Sequence, residues 1–162
     1  MKRRTLLGAM AVATGSRAAQ TDTAVKPEQP VPWPDMGLLG GGRFGVAQAE
    51  GNAVVVVFWT TTCPFCRRHN QHVEKLHRAA AGKRLRVLGV ARETDVPLVA
   101  HYAQAQGYTF PITLNQPGLS ALLSPRRVVP VTVTVDRHGR LKQALPGEMF
   151  EEDLLELLQL AA

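Results

Sequence analysis

Apolar runs separated by polar stretches predict alternating strands and helices over most of the chain. Residues Ala53–Trp59 form an unbroken apolar run with the β-branched bias and the length of a strand that is buried on both faces. A helix is expected from Cys63 to about Ala81, followed by a second strand through Leu85–Val90. Because a strand, a helix and a strand in this order form a right-handed parallel unit, the pattern predicts an α/β fold.

The second half of the chain continues the alternation with shorter elements. We expect, in order, a helix at Asp95 to about Gln106, a short strand at Phe110–Leu114, a short helix at Gly118–Leu123, a strand at Val128–Val135 interrupted by Pro130, a turn at Asp136–Gly139, a returning strand at Leu141–Ala144 and a helix at Met149–Leu160. The turn makes the last two strands antiparallel, so the predicted sheet is mixed.

The first 34 residues lack this alternation. The basic residues of Lys2–Arg4 precede twelve uncharged residues, and Ser16–Ala18 then offers small residues at the two places that suit a signal peptidase. The paired arginines also resemble a twin-arginine export signal. Residues 1–18 are therefore predicted to be an export signal, residues 19–34 a flexible Pro-, Gln- and Thr-rich spacer, and residues 35–162 the folded domain.

Composition and charge exclude several classes of protein. A chain of 162 residues that is 45% hydrophobic and 20% charged is typical of one soluble domain. The net charge is +6, but four basic residues fall within the first 18 positions, and without them 15 basic residues face 13 acidic ones. The body of the chain therefore has no electrostatic footprint for nucleic acid. Two cysteines are too few for a small scaffold held by several disulfides.

The segment Cys63-Pro64-Phe65-Cys66 carries the most specific chemistry. A helix that begins here directs its free N–H groups at Cys63, which favours the nucleophilic thiolate. Pro64 suits the first helical position, where a missing N–H has no cost. Cys66 lies one turn further on, close enough to attack a mixed disulfide formed at Cys63. This arrangement predicts thiol–disulfide exchange through a redox-active Cys63–Cys66 disulfide, with no bound cofactor.

Other uses of a cysteine pair can be weighed by spacing. Covalent haem attachment needs His after the second cysteine, where this chain has Arg67. A zinc site formed with His69 and His72 is disfavoured because residues at three-residue steps spiral around a helix and do not converge. A peroxiredoxin-type site has Pro seven residues before the attacking cysteine, where this chain has Val56. A structural disulfide that closes so short a loop would contribute little stability.

Further features lie at matching places of a known family: Phe58-Trp59 before the motif, the helix-and-strand segment Asp95–Leu114, Val129–Thr132 at the start of a strand, and the Asp136–Gly139 turn before a terminal helix. In these features, over roughly Ala53–Leu160, the chain resembles the thioredoxin superfamily and, within it, the TlpA/ResA-like exported thiol–disulfide oxidoreductases. The resemblance implies an α/β thioredoxin-like fold with a central mixed sheet flanked by helices. Asp95–Leu114 would be a TlpA-type insertion before a cis-proline.

The resemblance also implies where a substrate binds. Pro130 would be the cis-proline beside the two cysteines, with a trans-proline at a strand start as the alternative. A proline here blocks further strand pairing, which leaves the backbone of Val129 free to pair with a substrate chain. Trp59, Pro64 and Phe65 are expected to line the same substrate groove.

The chain departs from its relatives around the cysteine pair. Cytosolic thioredoxins carry a buried carboxylate six residues before the first cysteine, where this chain has Val57. Glu93, just after the second strand, is the remaining candidate to take the proton from Cys66, or it is a solvated residue that assists a helix start. ResA-like proteins usually have Glu where this chain has His69. His69 is expected either at the surface or tuning the thiolates through its charge near pH 6.5.

The functional expectation is an exported enzyme that reduces protein disulfides. By likeness, a membrane thiol-transfer protein would re-reduce it, and cytochrome c maturation is one such pathway. A DsbA-like oxidase and a Cu(I) carrier are the alternatives, although known copper-delivering relatives space their cysteines by three residues. We expect a periplasmic or membrane-tethered monomer that acts on protein thiols or disulfides and binds neither a metal nor nucleic acid.

Overall fold

A five-stranded mixed sheet with helices on both faces forms the centre of the fold. The computed structural model describes residues 23–114 and 116–162. In chain order its elements are β1 (Met36–Gly37), β2 (Arg43–Phe44), α1 (Val46–Ala49), β3 (Ala53–Trp59), α2 (Pro64–Ala79), β4 (Leu85–Ala91), α3 (Val96–Gln106), β5 (Ile112–Leu114), α4 (Pro117–Leu123), β6 (Val131–Val135), β7 (Leu141–Pro146) and α5 (Glu151–Glu156), followed by a 3₁₀ helix at Leu157–Ala161.

The strands lie in the order β5-β4-β3-β6-β7. The β3, β4 and β5 strands run parallel, whereas β6 pairs antiparallel with both β3 and β7. The predicted mixed α/β sheet is thus present, and β3 has the bounds that the apolar run predicted. The parallel strands β3 and β4 finish at the same end of the sheet, and the antiparallel strand β6 begins at that end. The loops that follow β3 and β4 and the segment that precedes β6 therefore meet there.

The central strand β3 separates two cores. All seven of its side chains are buried, and alternate residues point to opposite faces of the sheet. On one face Val55 and Val57 pack with the apolar side of α2 and with Leu154 of α5. On the other face Val54 and Val56 pack with α4 and with the segment that contains β2 and α1. This packing fixes the position of the loop that leaves β3 toward α2.

Gly89 in β4 allows an aromatic ring to pack directly on the sheet. A Cβ added at Gly89 would lie 2.7 Å from Cε2 of Phe110 and 3.1 Å from Nε1 of Trp59. Phe110 in turn stacks on Tyr108 with ring centroids 5.1 Å apart. The missing side chain therefore provides the space in which this aromatic cluster packs beneath the end of β3.

The prediction of a flexible spacer through residue 34 is wrong for residues 25–34. Val25 and Val31 are buried in the core on the α4 face. The backbone N–H of Glu28 donates to the Leu141 carbonyl at 2.8 Å, and the N–H of Leu141 donates to the Gln29 carbonyl at 3.0 Å. These contacts hold the segment along β7.

A short segment before β3 was also not predicted. It contains the β1–β2 hairpin and α1, and it contacts the outer side of β5. The N–H of Leu39 donates to the Ile112 carbonyl at 2.7 Å, and the Thr113 hydroxyl donates to the Gly37 carbonyl at 2.9 Å. The sheet therefore has a chain segment against each of its two outer strands.

Smaller differences concern the ends of elements. The predicted strand at Val128–Val135 begins only at Val131, after Pro130, and the predicted terminal helix is divided into α5 and the 3₁₀ helix. The predicted export signal lies outside the described residues. Within residues 23–114 and 116–162, no helix has the length and apolar character needed to cross a membrane.

Candidate active site

Cys63 lies at the exact start of α2, as its N-cap residue. Its sulfur accepts a hydrogen bond from the backbone N–H of Cys66 at 3.1 Å. Pro64 occupies the first turn, and the Cys63 side chain is partly exposed. The sulfur of Cys63 is thus held by a backbone donor while it remains open to an incoming molecule.

Cys66 lies one turn further along α2 and is 0% exposed. Burial raises the pKa of its thiol to about 12, with further contributions from the hydrogen bond to Cys63 and from the negative charge of Glu93. Both cysteines are free thiols in this structure. The two sulfurs therefore differ in access, and burial keeps the Cys66 thiol protonated at neutral pH.

The Val129–Pro130 segment contacts the side chain of Cys63 at the start of α2. Its peptide bond is cis. The sulfur of Cys63 is 3.9 Å from the Val129 carbonyl oxygen, and the Pro130 carbonyl accepts a hydrogen bond from the N–H of Gly147 at 2.8 Å. The structure thus brings Val129 and Pro130 together with the cysteine pair.

Glu93 follows β4 and reaches the loop between β3 and α2. Its Oε1 accepts a hydrogen bond from the N–H of Thr61 at 2.5 Å, and its buried Oε2 has no partner among the residues that the structure describes. Its charge acts on the Cys66 thiol. Glu93 thus links the end of β4 to the loop that leads into the cysteine pair.

His69 is fully buried, so the expectation of a surface histidine is wrong. Its Nδ1 accepts a hydrogen bond from the N–H of Met149 at 3.0 Å, which requires the proton of the neutral ring to lie on Nε2, 3.0 Å from the Thr132 hydroxyl. Burial lowers the pKa of His69 to about 4. The expectation that His69 carries a positive charge near pH 6.5 is therefore also wrong.

The hydrogen bonds of His69 connect three parts of the site. They join α2 to β6, two residues after Pro130, and to the loop before α5. Thr132 and Met149 were not predicted from the sequence as site residues. The burial of His69 itself has a sequence signal, because it falls on the helical face that Cys66, Val73 and Leu76 define.

Phe65 and Val128 form an apolar rim beside Cys63. Their relative exposures are 56% and 47%, unusually high for residues of this kind. Arg68 lies 5.1 Å from the Phe65 ring centroid and forms a bidentate ion pair with Glu148. Phe65 follows Cys63 by two residues and Val128 directly precedes Val129, so these exposed apolar side chains belong to the two segments that meet at the Cys63 sulfur.

The prediction that Trp59 lines the substrate groove is wrong. The indole is 0% exposed and packs against the rings of Tyr102 and Tyr108, at centroid distances of 5.9 and 5.8 Å. Trp59 is therefore part of the buried aromatic packing at the end of β3 and does not line the groove. Pro64 and Phe65, the other residues expected in the groove, are exposed.

The described residues offer no group of three or more His, Cys, Asp or Glu side chains that could hold a metal ion. Within α2, the side chain of His69 is directed to Thr132 and Met149, while His72 faces Glu151 at 3.5 Å. The two histidines do not converge on the cysteines.

Comparison with solved structures supports the fold. A thiol:disulfide interchange protein of the thioredoxin family from Chlorobium tepidum superposes with a TM-score of 0.76 at 22% identity, over 85% of this chain and 97% of that one. StoA from Bacillus subtilis gives a TM-score of 0.68 at 22% identity, over 80% of this chain and 98% of that one. The predicted thioredoxin-like fold is confirmed.

Sequence comparison identifies the family. The chain is 30% identical to the thioredoxin-like protein YneN of Bacillus subtilis over 132 residues, which are 78% of this chain and 76% of that protein. It is 28% identical to the thiol-disulfide oxidoreductase ResA of Halalkalibacterium halodurans over 123 residues, 75% of this chain and 69% of that protein. Residues 27–144 match the AhpC/TSA family. With its thioredoxin-like fold and its similarity to ResA, the chain belongs to the AhpC/TSA family.

Proposed function

We propose that this protein is a thiol–disulfide oxidoreductase that reduces disulfides of protein substrates. The thiolate of Cys63 attacks one sulfur of a substrate disulfide, forming a mixed disulfide and releasing the other substrate sulfur as a thiol. Cys66 then gives up its proton and attacks the sulfur of Cys63, which releases the second substrate thiol. The substrate gains two electrons and two protons, and the protein is left with a Cys63–Cys66 disulfide.

The asymmetry between the two thiols carries this proposal. An attacking thiol must be reachable, and Cys63 is partly exposed at the helix start with a backbone N–H directed at its sulfur. A resolving thiol must not react with solutes first, and Cys66 is fully buried with a pKa raised to about 12. The same asymmetry assigns the order in which the two sulfurs react.

A thiol with so high a pKa needs help to lose its proton. Glu93 is the group suited to that role, because one of its carboxylate oxygens is buried without a partner among the described residues and its charge acts on Cys66. We assign Glu93 as the general base for the resolving step. His69 is neutral and hydrogen-bonded at both ring nitrogens, so we assign it a positioning role in which it transfers no proton.

Two features support reduction over oxidation. DsbA-like oxidases insert a helical domain between the motif helix and the cis-proline, whereas here the described residues of this interval form β4, α3, β5 and α4. A strong oxidant also needs a strongly stabilised reduced form, and the neutral ring of His69 provides no positive charge for that purpose. The equilibrium potential of the cysteine couple tests this direction: a value near about −270 mV supports a reductase, and one near about −120 mV indicates an oxidant.

Alkylation and trapping test the assignment of roles. At neutral pH, iodoacetamide should label Cys63 of the reduced protein first, because the Cys66 thiol is buried and un-ionised. Cys66→Ser should still attack a disulfide and accumulate the mixed disulfide, while Cys63→Ser should be inactive. Faster labelling of Cys66, or a mixed disulfide that accumulates only in Cys63→Ser, would reverse the assignment. Mass spectrometry of the quenched proteins distinguishes these outcomes.

Export and a membrane-bound thiol donor complete the proposal. The basic start of the chain and the small residues at Ser16 and Ala18 support export to the periplasm, with tethering if the signal stays attached. Outside the cytoplasm, the Cys63–Cys66 disulfide must be reduced again after each cycle. A membrane thiol-transfer protein would supply the thiols for that reduction. Fractionation of cells that express the full chain checks the location, and a purely cytoplasmic protein would contradict this part.

A further inference from the structure

A cavity lies on the α4 side of the sheet, at the end of β4. Its volume is about 260 Å³, and its lining includes Arg92, Arg127 and Ser120. Arg92 directly follows β4, and Arg127 precedes Val129 by two residues. The cavity therefore opens at the same end of the sheet as the cysteine pair.

Arg92 is held rigidly at this cavity. Its Nη2 donates to the carbonyl and hydroxyl oxygens of Ser124, at 3.1 and 2.9 Å, and to the carbonyl of Arg126 at 3.2 Å. Its guanidinium carbon lies 4.9 Å from the Phe58 ring centroid. All of these partners are neutral groups, so they fix the side chain in place without neutralising its charge.

Arg127 places a second positive charge next to the first. Burial lowers the pKa of Arg92, and the charge of Arg127 lowers it further. Within residues 23–114 and 116–162, neither arginine forms an ion pair with a carboxylate. Two like charges that face one cavity repel each other, and a negatively charged group between them would relieve that repulsion.

The cavity is within reach of a substrate bound at Cys63. The N–H of Arg92 donates to the Trp59 carbonyl at 2.9 Å, at the end of the strand that leads to Cys63. Arg127 lies two positions before Val129, and two residue steps span about 7 Å in an extended chain. The Val129 carbonyl lies 3.9 Å from the sulfur of Cys63. A substrate chain that passes Cys63 therefore extends past this cavity within a few residues.

We propose that this cavity binds the carboxylate of an Asp or Glu residue located about two to four residues from the reacting cysteine of the substrate. Arg127 and Arg92 would hold the carboxylate, while Phe65 and Val128 contact apolar side chains of the same segment. The favoured substrate is thus a polypeptide with an acidic residue close to its disulfide-bonded cysteine. This inference rests on the proposed function, because it concerns the substrate of the same site.

Symmetric peptide disulfides provide the test. Nine-residue peptides with one central cysteine, dimerised through that cysteine, carry a single Glu at each position in turn or Gln at the same position. Reduced full-length protein is mixed with each dimer, and the released peptide thiol is measured after acid quench. The readout is the ratio of the rates for the Glu and Gln peptides, taken within each protein variant.

We expect the wild-type ratio to reach about tenfold at low salt, which corresponds to ~1.4 kcal/mol for one charge-assisted contact. It should fall toward one in 1 M NaCl, where charges are screened within about 3 Å. Arg127→Gln should lower the ratio to near one, and Arg127→Glu should bring it below one. Arg84→Gln is the matched control, since Arg84 is exposed at the opposite end of β4, and it should keep the wild-type ratio.

The outcomes separate this inference from the proposed function. A wild-type ratio near one at every position, or a high ratio that persists in Arg127→Gln, would overturn the carboxylate site while the Gln peptides are still reduced. Failure to reduce any of the peptides would instead count against the proposed function. A ratio that is lost in Arg84→Gln as well would attribute the preference to overall charge and overturn the site.

Discussion

His69 predicts a specific dependence of stability on pH. The buried ring has a pKa of about 4 in the folded protein and an ordinary value of 6.5 in an unfolded chain. Between these values the unfolded chain holds the proton and the folded protein does not, so acidification favours unfolding. The contribution of the neutral His69 ring to the free energy of unfolding is complete above pH 6.5 and is lost as the pH falls toward 4.

The size of this effect follows from the shift. One pKa unit corresponds to about 1.36 kcal/mol, so a shift from 6.5 to about 4 makes the folded protein roughly 3 kcal/mol less stable at the acid end. His69→Gln removes the titrating ring. Glutamine can replace only part of the hydrogen bonding to Thr132 and Met149, which costs about 1–2 kcal/mol at neutral pH. Plotted against pH, the free energies of unfolding of the wild type and of His69→Gln should therefore converge or cross as the pH falls.

Urea unfolding of both proteins at several pH values between 4 and 7.5 measures the two curves. His101→Gln is the control, since His101 lies exposed on α3, and it should follow the wild-type curve. An NMR spectrum of the ring nitrogens should also show the Nε2-protonated neutral form of His69 at pH 6. Parallel curves for wild type and His69→Gln, or a protonated ring at pH 6, would refute the reasoning.

Two further substitutions have defined outcomes. Glu93→Gln should leave the first attack by Cys63 unchanged but slow the release of the mixed disulfide by about 10²-fold, because a general base typically contributes that much; stopped-flow kinetics separates the two steps, and equal slowing of both would contradict the role of Glu93. Gly89→Ala should destabilise the fold by about 1–3 kcal/mol in urea unfolding, because its Cβ would collide with Phe110. Gly118→Ala, whose Cβ meets no atom within 4 Å, should not be destabilising, and an equal loss in both variants would contradict the packing argument.

Local patterns explain why the centre of the fold could be predicted. A run of seven apolar residues at Ala53–Trp59 is buried on both faces of a sheet. Pro64 marks the first turn of α2, and the Asp136–Gly139 turn fixes the antiparallel pairing of β6 and β7. Each of these signals acts within a few residues, so no distant contact is needed to interpret it.

The elements that could not be predicted depend on partners far along the chain. Val25 and Val31 stand among polar residues without a periodic pattern, and only the core formed by β6, β7 and α4 explains their burial. The two-residue strands β1 and β2 are too short for a pattern of alternation. Arg92 follows a strand as many solvated residues do, and the role we propose for it depends on Arg127, which lies far along the chain and lines the same cavity.

The site was predictable in its chemistry but less so in its environment. The Cys63–Cys66 spacing indicates redox chemistry because it places one sulfur at the start of a helix and the other one turn inside. The states of Glu93 and His69 depend on burial and on hydrogen bonds from Thr61, Thr132 and Met149. Sequence spacing alone cannot supply those partners.

The segments that lie along β5 and β7 have a consequence for how this protein avoids aggregation. Exposed edge strands invite another chain to add to a sheet. Here residues 37–39 occupy backbone and side-chain groups along β5, and residues 28–31 do so at the start of β7. Lys142 of β7 forms an ion pair with Glu28 of this covering segment, and further along the strand Pro146 disfavours pairing because it has no N–H. Under the proposed function, a protein substrate is expected to pair its backbone with Val129, and the two covered outer strands would keep that substrate from adding to the sheet as a further strand.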